Sequence, residues 1–381
     1  MIYFDNSATT PIDPRVLDTF VKVSQNYPGN PSSLHQLGRK ATEVLELSRQ
    51  QIKDILNLKN REVLFTSGGS EGDNLIIKGV AHNRKFSGHH IIVSAIEHAA
   101  VLNAAKQLEK EGFEVTYLSP DKNGQIRPET LSNAIRNDTI LVSIMAVNNE
   151  TGAIQPLDEL SDILQKYPQI VFHVDAVQAI GKQLESIYLN DRIDFLSFSG
   201  HKFRGPRGVG FVIYHPNRHF DPLIAGGGQE NGLRGGTENI PAIAAMAKAL
   251  RLSFDNINQF QKKYIEMKNI LLNFLDKDPD FYVISKNSKI YTPSIISFAL
   301  IGVKGETVIH YLEAQGTFIS TTSACASNRN QPSHVLMAMK EPDEVIKGEL
   351  RVSLGPQNDI SEMKNFVNQL EKMKDKLKVF I

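Results

Sequence analysis

Ile170-Val171-Phe172-His173-Val174-Asp175-Ala176-Val177-Gln178 is the stretch that decides the fold. Its first five residues form a short, nearly continuous apolar run, the pattern of a strand covered on both faces. An acid, Asp175, stands where the run ends. Similar runs lie at 63–65, 91–94, 115–118, 140–144, 195–198 and 210–214. Between them come helix-like stretches at 101–111, 128–136 and 157–165. This alternation of strand and helix predicts an α/β domain with a mostly parallel sheet. After residue 240 the texture changes. A long helical segment at 240–275 is followed by a strand at 294–300, a helix at 306–315, a strand at 350–354 and a closing helix at 360–377. These elements suggest a smaller α+β domain. The expected division is 12–250 for the large domain and 1–11 plus 251–381 for the small one.

The bulk numbers narrow the function classes. At 381 residues the chain exceeds the size of most single cores, so two domains are expected. A composition of 41% hydrophobic and 22% charged residues is that of an ordinary globular protein. Net charge is zero, which argues against a nucleic-acid footprint. The closing Lys372-Met373-Lys374-Asp375-Lys376-Leu377-Lys378 reads as a solvated helix face. One cysteine, Cys325, excludes an internal disulfide and a cysteine metal cluster. The opening residues do not read as a signal peptide, and no apolar run is long enough to span a bilayer. A cytoplasmic enzyme is the expectation.

Several strand ends carry groups that suit one small, flat, phosphorylated ligand. Lys202, in Phe198-Ser199-Gly200-His201-Lys202, follows one strand, and Asp175 follows another. A lysine that can condense with an aldehyde, with an acid that can pair with a pyridinium nitrogen, is what pyridoxal phosphate (PLP) chemistry requires. Taken singly, Asp175 reads more readily as a helix cap and Lys202 as a solvated surface group. Ser199 and His201 can donate to a phosphate, and Gln178 to a phenolic oxygen. Thr66-Ser67-Gly68-Gly69-Ser70-Glu71 joins a strand to a helix and can cradle an anion on backbone N–H groups, or be an ordinary cap made by Ser67 or Ser70. It matches neither a P-loop nor a dinucleotide fingerprint. His98 is structural if alone, but can stack on a flat ring; Asn149 follows a further strand. Cys325 lies among small polar residues, expected to form an exposed, mobile loop whose thiol is free to act as a nucleophile. Arg351, alternating with apolar neighbours on a strand, reads evenly as a substrate-carboxylate clamp or as a surface ion pair.

Together these segments resemble the PLP-dependent cysteine desulfurases of the NifS/IscS type, in the class V aminotransferase family of fold-type I enzymes. The likeness runs through Tyr3-Phe4-Asp5-Asn6-Ser7-Ala8-Thr9-Thr10, Gly29-Asn30-Pro31-Ser32-Ser33-Leu34-His35, Glu97-His98 and Val147-Asn148-Asn149-Glu150. It continues through Ser199-Gly200-His201-Lys202, Gly226-Gly227-Gly228-Gln229-Glu230, Arg234-Gly235-Gly236-Thr237-Glu238-Asn239, Ser323-Ala324-Cys325 and Arg351-Val352-Ser353-Leu354-Gly355.

The resemblance implies roles. Lys202 carries the cofactor and moves the Cα proton. His98 stacks on the ring, Asp175 pairs with its nitrogen, and Gln178 meets its phenolic oxygen near Asn149. Gly69, Ser70, Ser199 and His201 hold the phosphate. Thr237 reaches the phosphate of a second subunit, which implies a homodimer. Arg351 and Asn149 hold the substrate carboxylate, and Cys325 takes the sulfur of L-cysteine as a persulfide, leaving L-alanine. Ser70 stands where members of the family often carry threonine, and it keeps the hydroxyl. The acceptor is expected to be an iron–sulfur scaffold or a tRNA-thiolation enzyme. The latter gains weight because the chain stops at Ile381, right after the last helical stretch. A selenocysteine lyase or another fold-type I PLP reaction is the alternative. No membrane or direct nucleic-acid partner is implied.

Overall fold

A computed structural model describes residues 1–181, 190–321 and 332–377. Cys325 therefore lies outside the described residues, as does Lys378. The continuous apolar runs form a seven-stranded sheet. Its strands are β2 (Glu62–Thr66), β3 (His90–Ser94), β4 (Glu114–Leu118), β5 (Thr139–Ser143), β6 (Val171–Asp175), β7 (Phe195–Ser199) and β8 (Gly210–Tyr214). Their spatial order is β2-β8-β7-β6-β5-β3-β4. Pairing is parallel from β7 through β4, and β8 runs antiparallel to both of its neighbours. β3, β5, β6, β7 and β8 are buried throughout, as their unbroken apolar character requires.

Helices cover both faces. They are α3 (Gly69–Arg84), α4 (Ala99–Lys110), α5 (Pro128–Ala134) and α6 (Leu157–Leu164), with α1 (Pro14–Asn26) and α2 (Gln36–Ile55) ahead of them in the chain. One core gathers Phe172, Val174, Leu196 and Phe198 against Leu45, Ile52 and Met246. The opposite core packs Val93, Leu141, Val171 and Phe195 against Leu75, Ile76 and Val80 of α3.

The 240–275 segment is not the single helix that its apolar spacing predicts. It is α7 (Ile240–Asp255) and α8 (Ile257–Leu275), broken at Asn256, whose φ of −123° leaves the helical region. The break lets the two halves pack in different cores. Ala245, Met246 and Ala249 join the seven-stranded sheet's core, whereas Met267, Leu271 and Leu275 join a second one. That second core lies on a three-stranded antiparallel sheet with β10 (Ile295–Leu300) between β9 (Phe281–Val283) and β12 (Glu349–Ser353).

α9 (Gly305–Glu313), α10 (His334–Ala338), α11 (Asp343–Gly348) and α12 (Ile360–Leu377) complete this part. The N-terminal β1 (Ile2–Tyr3) crosses to it, pairing with β11 (Thr317–Phe318), and Phe4 stacks edge-on against Phe366 of α12 at 5.6 Å. Lys374 pairs with Asp278 and with Asp280, which ties part of the closing lysine stretch to its own surface. Among the described residues no helix is long and apolar enough to cross a membrane.

Candidate active site

The C-terminal ends of β6 and β7 lie side by side and open into a cleft of about 520 Å³, within the range of small-ligand sites. Gly69, Ser70, His98, Asn149, Asp175, Gln178, Ser199, His201, Lys202 and Arg351 all line it. Thr237 does not. It lines a neighbouring pocket that shares Ser67 and Gly208 with the cleft.

β7 ends at Ser199 and turns through a single 3-10 turn, Gly200–Lys202, that aims Lys202 back into the cleft. Its Nζ donates to the carbonyls of Ser7 at 2.7 Å and Ala8 at 2.9 Å. The Ser7 carbonyl also accepts from Gln178 Nε2 at 3.0 Å. Asp175 holds its own turn, accepting from the Val177 N–H at 2.9 Å. Burial raises its carboxyl above the usual range, while His98, the Val177 N–H and Lys202 pull it back. His98 caps α4 by accepting from Ala100 N at 3.1 Å. Desolvation holds its pKa below the usual value; Asp175 opposes this, whereas Lys202 and His334 reinforce it.

The anion corner is built from backbone. α3 starts at Gly69, earlier than its apolar pattern indicates, and no side chain caps it. The alternative reading of Ser67 or Ser70 as a cap is therefore not what the chain adopts, and N–H groups of the first turn stay open toward the cleft. Gly69 is required there, since a Cβ would lie 2.5 Å from Val177 Cγ2. His201, with Nδ1 3.1 Å from the Thr9 hydroxyl, has its pKa lowered to about 4 by burial, Lys202 and Arg207.

Arg351 resolves the even choice in an unexpected way. It is fully buried and lines the cleft, yet it already holds an ion pair: Nη2 donates to Asp5 Oδ1 at 2.9 Å and Nη1 to the Asn149 carbonyl at 3.1 Å. Asn148 fixes that loop, donating to the Ile96 carbonyl at 3.0 Å and accepting from the N–H groups of Glu150 and Thr151. The described chain borders the segment carrying Cys325 at two anchored points. On one side Ser320 and Arg351 exchange backbone hydrogen bonds of 3.2 and 2.7 Å. On the other, Ser333 Oγ donates to Glu150 at 2.5 Å and His334 Nε2 lies 3.0 Å from the Glu97 carbonyl.

Several groups here carry no role that the sequence motifs indicate. The Ser7 and Ala8 carbonyls, Arg207 and Asp73 all line the cleft, and Glu97 is buried behind it. The opening Asp5-Asn6-Ser7-Ala8 landmark was the only signal for the carbonyls. Asp73, inside a helix, gave none.

The aminotransferase class-V family profile matches residues 2–366. A NifS/IcsS protein homolog of Lactobacillus delbrueckii subsp. bulgaricus is 47% identical over 367 residues, covering 96% of this chain and 95% of that protein. The chain belongs to the aminotransferase class-V family, in its NifS/IscS branch. The cysteine desulfurase IscS of Methanosarcina thermophila is 41% identical over 379 residues, 99% of this chain and 93% of that one. A solved NifS-like protein superimposes with a TM-score of 0.92 at 35% identity, covering 99% of this chain and 100% of the other.

Class-V enzymes of this branch depend on PLP, and this cleft fits that group. A buried carboxylate, a primary amine and an uncapped helix N-terminus mark three corners of one cavity, matching a pyridine nitrogen, an aldehyde and a phosphate. Gly69 keeps the anion corner free of a side chain, since a Cβ there would meet Val177.

Proposed function

We propose that the protein is a cysteine desulfurase: L-cysteine and the Cys325 thiol give L-alanine and a persulfide on Cys325. The observation that carries this reading is the convergence of Lys202, Asp175, His98 and Arg351 on one cleft, with one border of the Cys325 segment bonded to Arg351 and the other to Glu97 and Glu150, the chain neighbours of His98 and Asn149.

Asp175 would hold the cofactor's ring nitrogen, His98 its face, Gln178 its phenolic oxygen, and Gly69, Ser70, Ser199 and His201 its phosphate, with Arg207 adding a positive charge beside His201. When bound, the cofactor withdraws electron density from the substrate Cα and so weakens the Cβ–S bond. Arg351 and Asn149 orient the substrate carboxylate. Lys202 Nζ, steadied between two carbonyls, is placed to take the Cα proton and return it. The Cys325 thiolate attacks the substrate sulfur, the Cβ–S bond breaks, and Cβ is protonated to alanine. Cys325 is five residues past Ser320, a reach of at most roughly 17 Å from an anchor that is itself bonded to the cleft residue Arg351.

Thr237, which lines the adjoining pocket, completes the phosphate site of a second subunit in a homodimer. A boundary near residue 250, dividing 12–250 from 1–11 plus 251–381, is supported by the break at Asn256 and by the two cores that flank it. The sulfur passes in the cytoplasm to an acceptor protein, an iron–sulfur scaffold or a tRNA-thiolation enzyme. The test is product analysis with L-cysteine and a reducing thiol. Equal amounts of alanine and sulfide support the reading, and keto-acid formation without sulfide contradicts it.

A further inference from the structure

Beneath the cleft lies an acid to which the reaction gives no task. Asp73, on α3, is 1% exposed and lines the cleft, and its Oδ1 has no hydrogen-bond partner. An ionised carboxylate so placed would leave a buried charge half satisfied, at a large desolvation cost. What surrounds it is a row of neutral groups. Ser197 of β7 approaches the Asp73 carboxyl, and its Oγ lies 2.9 Å from His173 Nε2. His173 Nδ1 lies 2.8 Å from Ser143 Oγ on β5. Asp73 Oδ1 itself is 3.6 Å from His173 Nε2. In register, Ser143 faces His173 across β5 and β6, and Ser197 faces Asp175 across β6 and β7. Ser143, His173, Asp175 and Ser197 therefore share the sheet face that meets α3, as cross-strand partners or two residues apart on β6.

We propose that Asp73 is a positioning residue of the cofactor site, held as a neutral acid at the head of a one-way hydrogen-bond chain running Asp73 to Ser197 to His173 to Ser143, so that Asp175 alone presents negative charge to the ring nitrogen. Hydrogen-bond counting closes the chain in either of two directions, and a neutral Asp73 sets this one. The Asp73 O–H donates to Ser197 Oγ, the Ser197 O–H to His173 Nε2, and the His173 Nδ1–H to Ser143 Oγ; each hydroxyl and the neutral ring give one proton and take one. An ionised Asp73 would reverse every link.

The charged and titratable neighbours agree. Asp73 faces Asp175 and His173 on β6 and Glu97 beyond β3. Burial first, then Asp175 and Glu97, push the Asp73 carboxyl well above the usual range, against the pull of Ser197. Burial lowers His173 to about 3, so the ring is neutral as the chain needs. Two carboxylates this close behind one sheet cannot both be anions at little cost. His98 and Lys202 pull the Asp175 carboxyl down against its burial, whereas Ser197 alone opposes the rise at Asp73, so the charge is favoured on Asp175.

This inference rests on reading Asp175 as the partner of the ring nitrogen, but its test does not. Infrared spectra of the holoenzyme, labelled with carboxyl-¹³C aspartate, report protonated aspartic acids separately from Glu97. The expected result at neutral pH is one label-sensitive protonated-carboxyl band that moves in Ser197→Ala and vanishes in Asp73→Asn. A wild-type protein with no such band, a band that survives Asp73→Asn, or one unmoved by Ser197→Ala overturns the proposal. Cofactor release, timed by trapping, gives a second reading. Asp73→Asn, neutral and able to donate, should release within about threefold of wild type, and Asp73→Ala at least about tenfold faster. Equal release by Asn and Ala variants, fast or slow, contradicts it. If the cofactor were found elsewhere than Lys202, the ring-nitrogen reading would fail while the infrared band still decided the state of Asp73.

Discussion

Arg351 and Asp5, 346 positions apart in the chain, form an ion pair of 2.9 Å in the wall of the cleft. The pair welds the N-terminal segment to β12, and it pre-sets the guanidinium that the substrate carboxylate would meet. Arginine suits this task because its planar fork can serve Asp5, the Asn149 carbonyl and a third group at once. Lysine cannot.

Arg351→Lys should therefore raise KM for L-cysteine by about tenfold or more, with a smaller change in kcat, since a compact ammonium has no planar fork to hold a carboxylate bidentately while still reaching Asp5 and the Asn149 carbonyl. Steady-state kinetics of alanine formation check this. An unchanged KM would mean that the carboxylate is held elsewhere.

Gly69 is where cofactor and packing compete for the same space. Gly69→Ala places a methyl 2.5 Å from Val177 Cγ2, so the start of α3 must back away from the cleft. PLP affinity of the apo-protein should fall about tenfold or more, a loss of ~1.4 kcal/mol. Val177→Ala in the same chain should restore most of it. Failure of the double variant to recover would show that the glycine serves something other than this contact.

Glu97 gives the protein a pH signature. It is wholly buried, accepts from Ser94 Oγ at 2.5 Å and from Met145 N at 2.8 Å, and its Oε2 has no hydrogen-bond partner. Burial pushes its pKa from 4.5 up to about 8; Ser94 and the Met145 N–H oppose this and Asp175 adds to it. The folded state thus holds a proton that the unfolded state has released, and stability falls as pH rises through that window. His173 and His201, whose pKa values fold down from 6.5, act in the opposite sense as pH drops below that value. Denaturant unfolding between pH 6.5 and about 8 lies above the histidines' window and reads the raised buried carboxyls, Asp73 among them, so the Glu97 share is the difference between wild type and Glu97→Gln. Wild type should lose stability across this interval, and Glu97→Gln should lose less. Parallel slopes would contradict the assignment.

Much of the site could be read before the fold was known, because strands buried on both faces leave unbroken apolar runs. Whatever follows such a run lies at the sheet edge, and that placed Asp175, Ser199, Lys202 and His98 together. Other features left no such mark. α2 spans 20 residues but buries only Gly38, Ala41, Leu45, Ser48 and Ile52, a stripe too weakly apolar to stand out. The turn at Asn256 interrupts no apolar spacing. Asp73 looks like any helical surface acid until the sheet is laid beneath it. The Asp5–Arg351 pair joins the two ends of the chain, a contact no local pattern encodes.

Cys325→Ala separates binding from sulfur transfer. The variant should keep its bound cofactor and its response to added L-cysteine, and should lose alanine and sulfide production by at least about a hundredfold, as removal of a nucleophile implies. Undiminished turnover would remove Cys325 from the reaction.

Lys202 carries the whole account, since every other assignment is arranged around its amine. Borohydride reduction of the holoenzyme followed by peptide mapping tests it most directly. The account predicts one pyridoxyl-modified peptide with the label on Lys202, and no labelling in Lys202→Ala. A label on another lysine, or none at all, would contradict it.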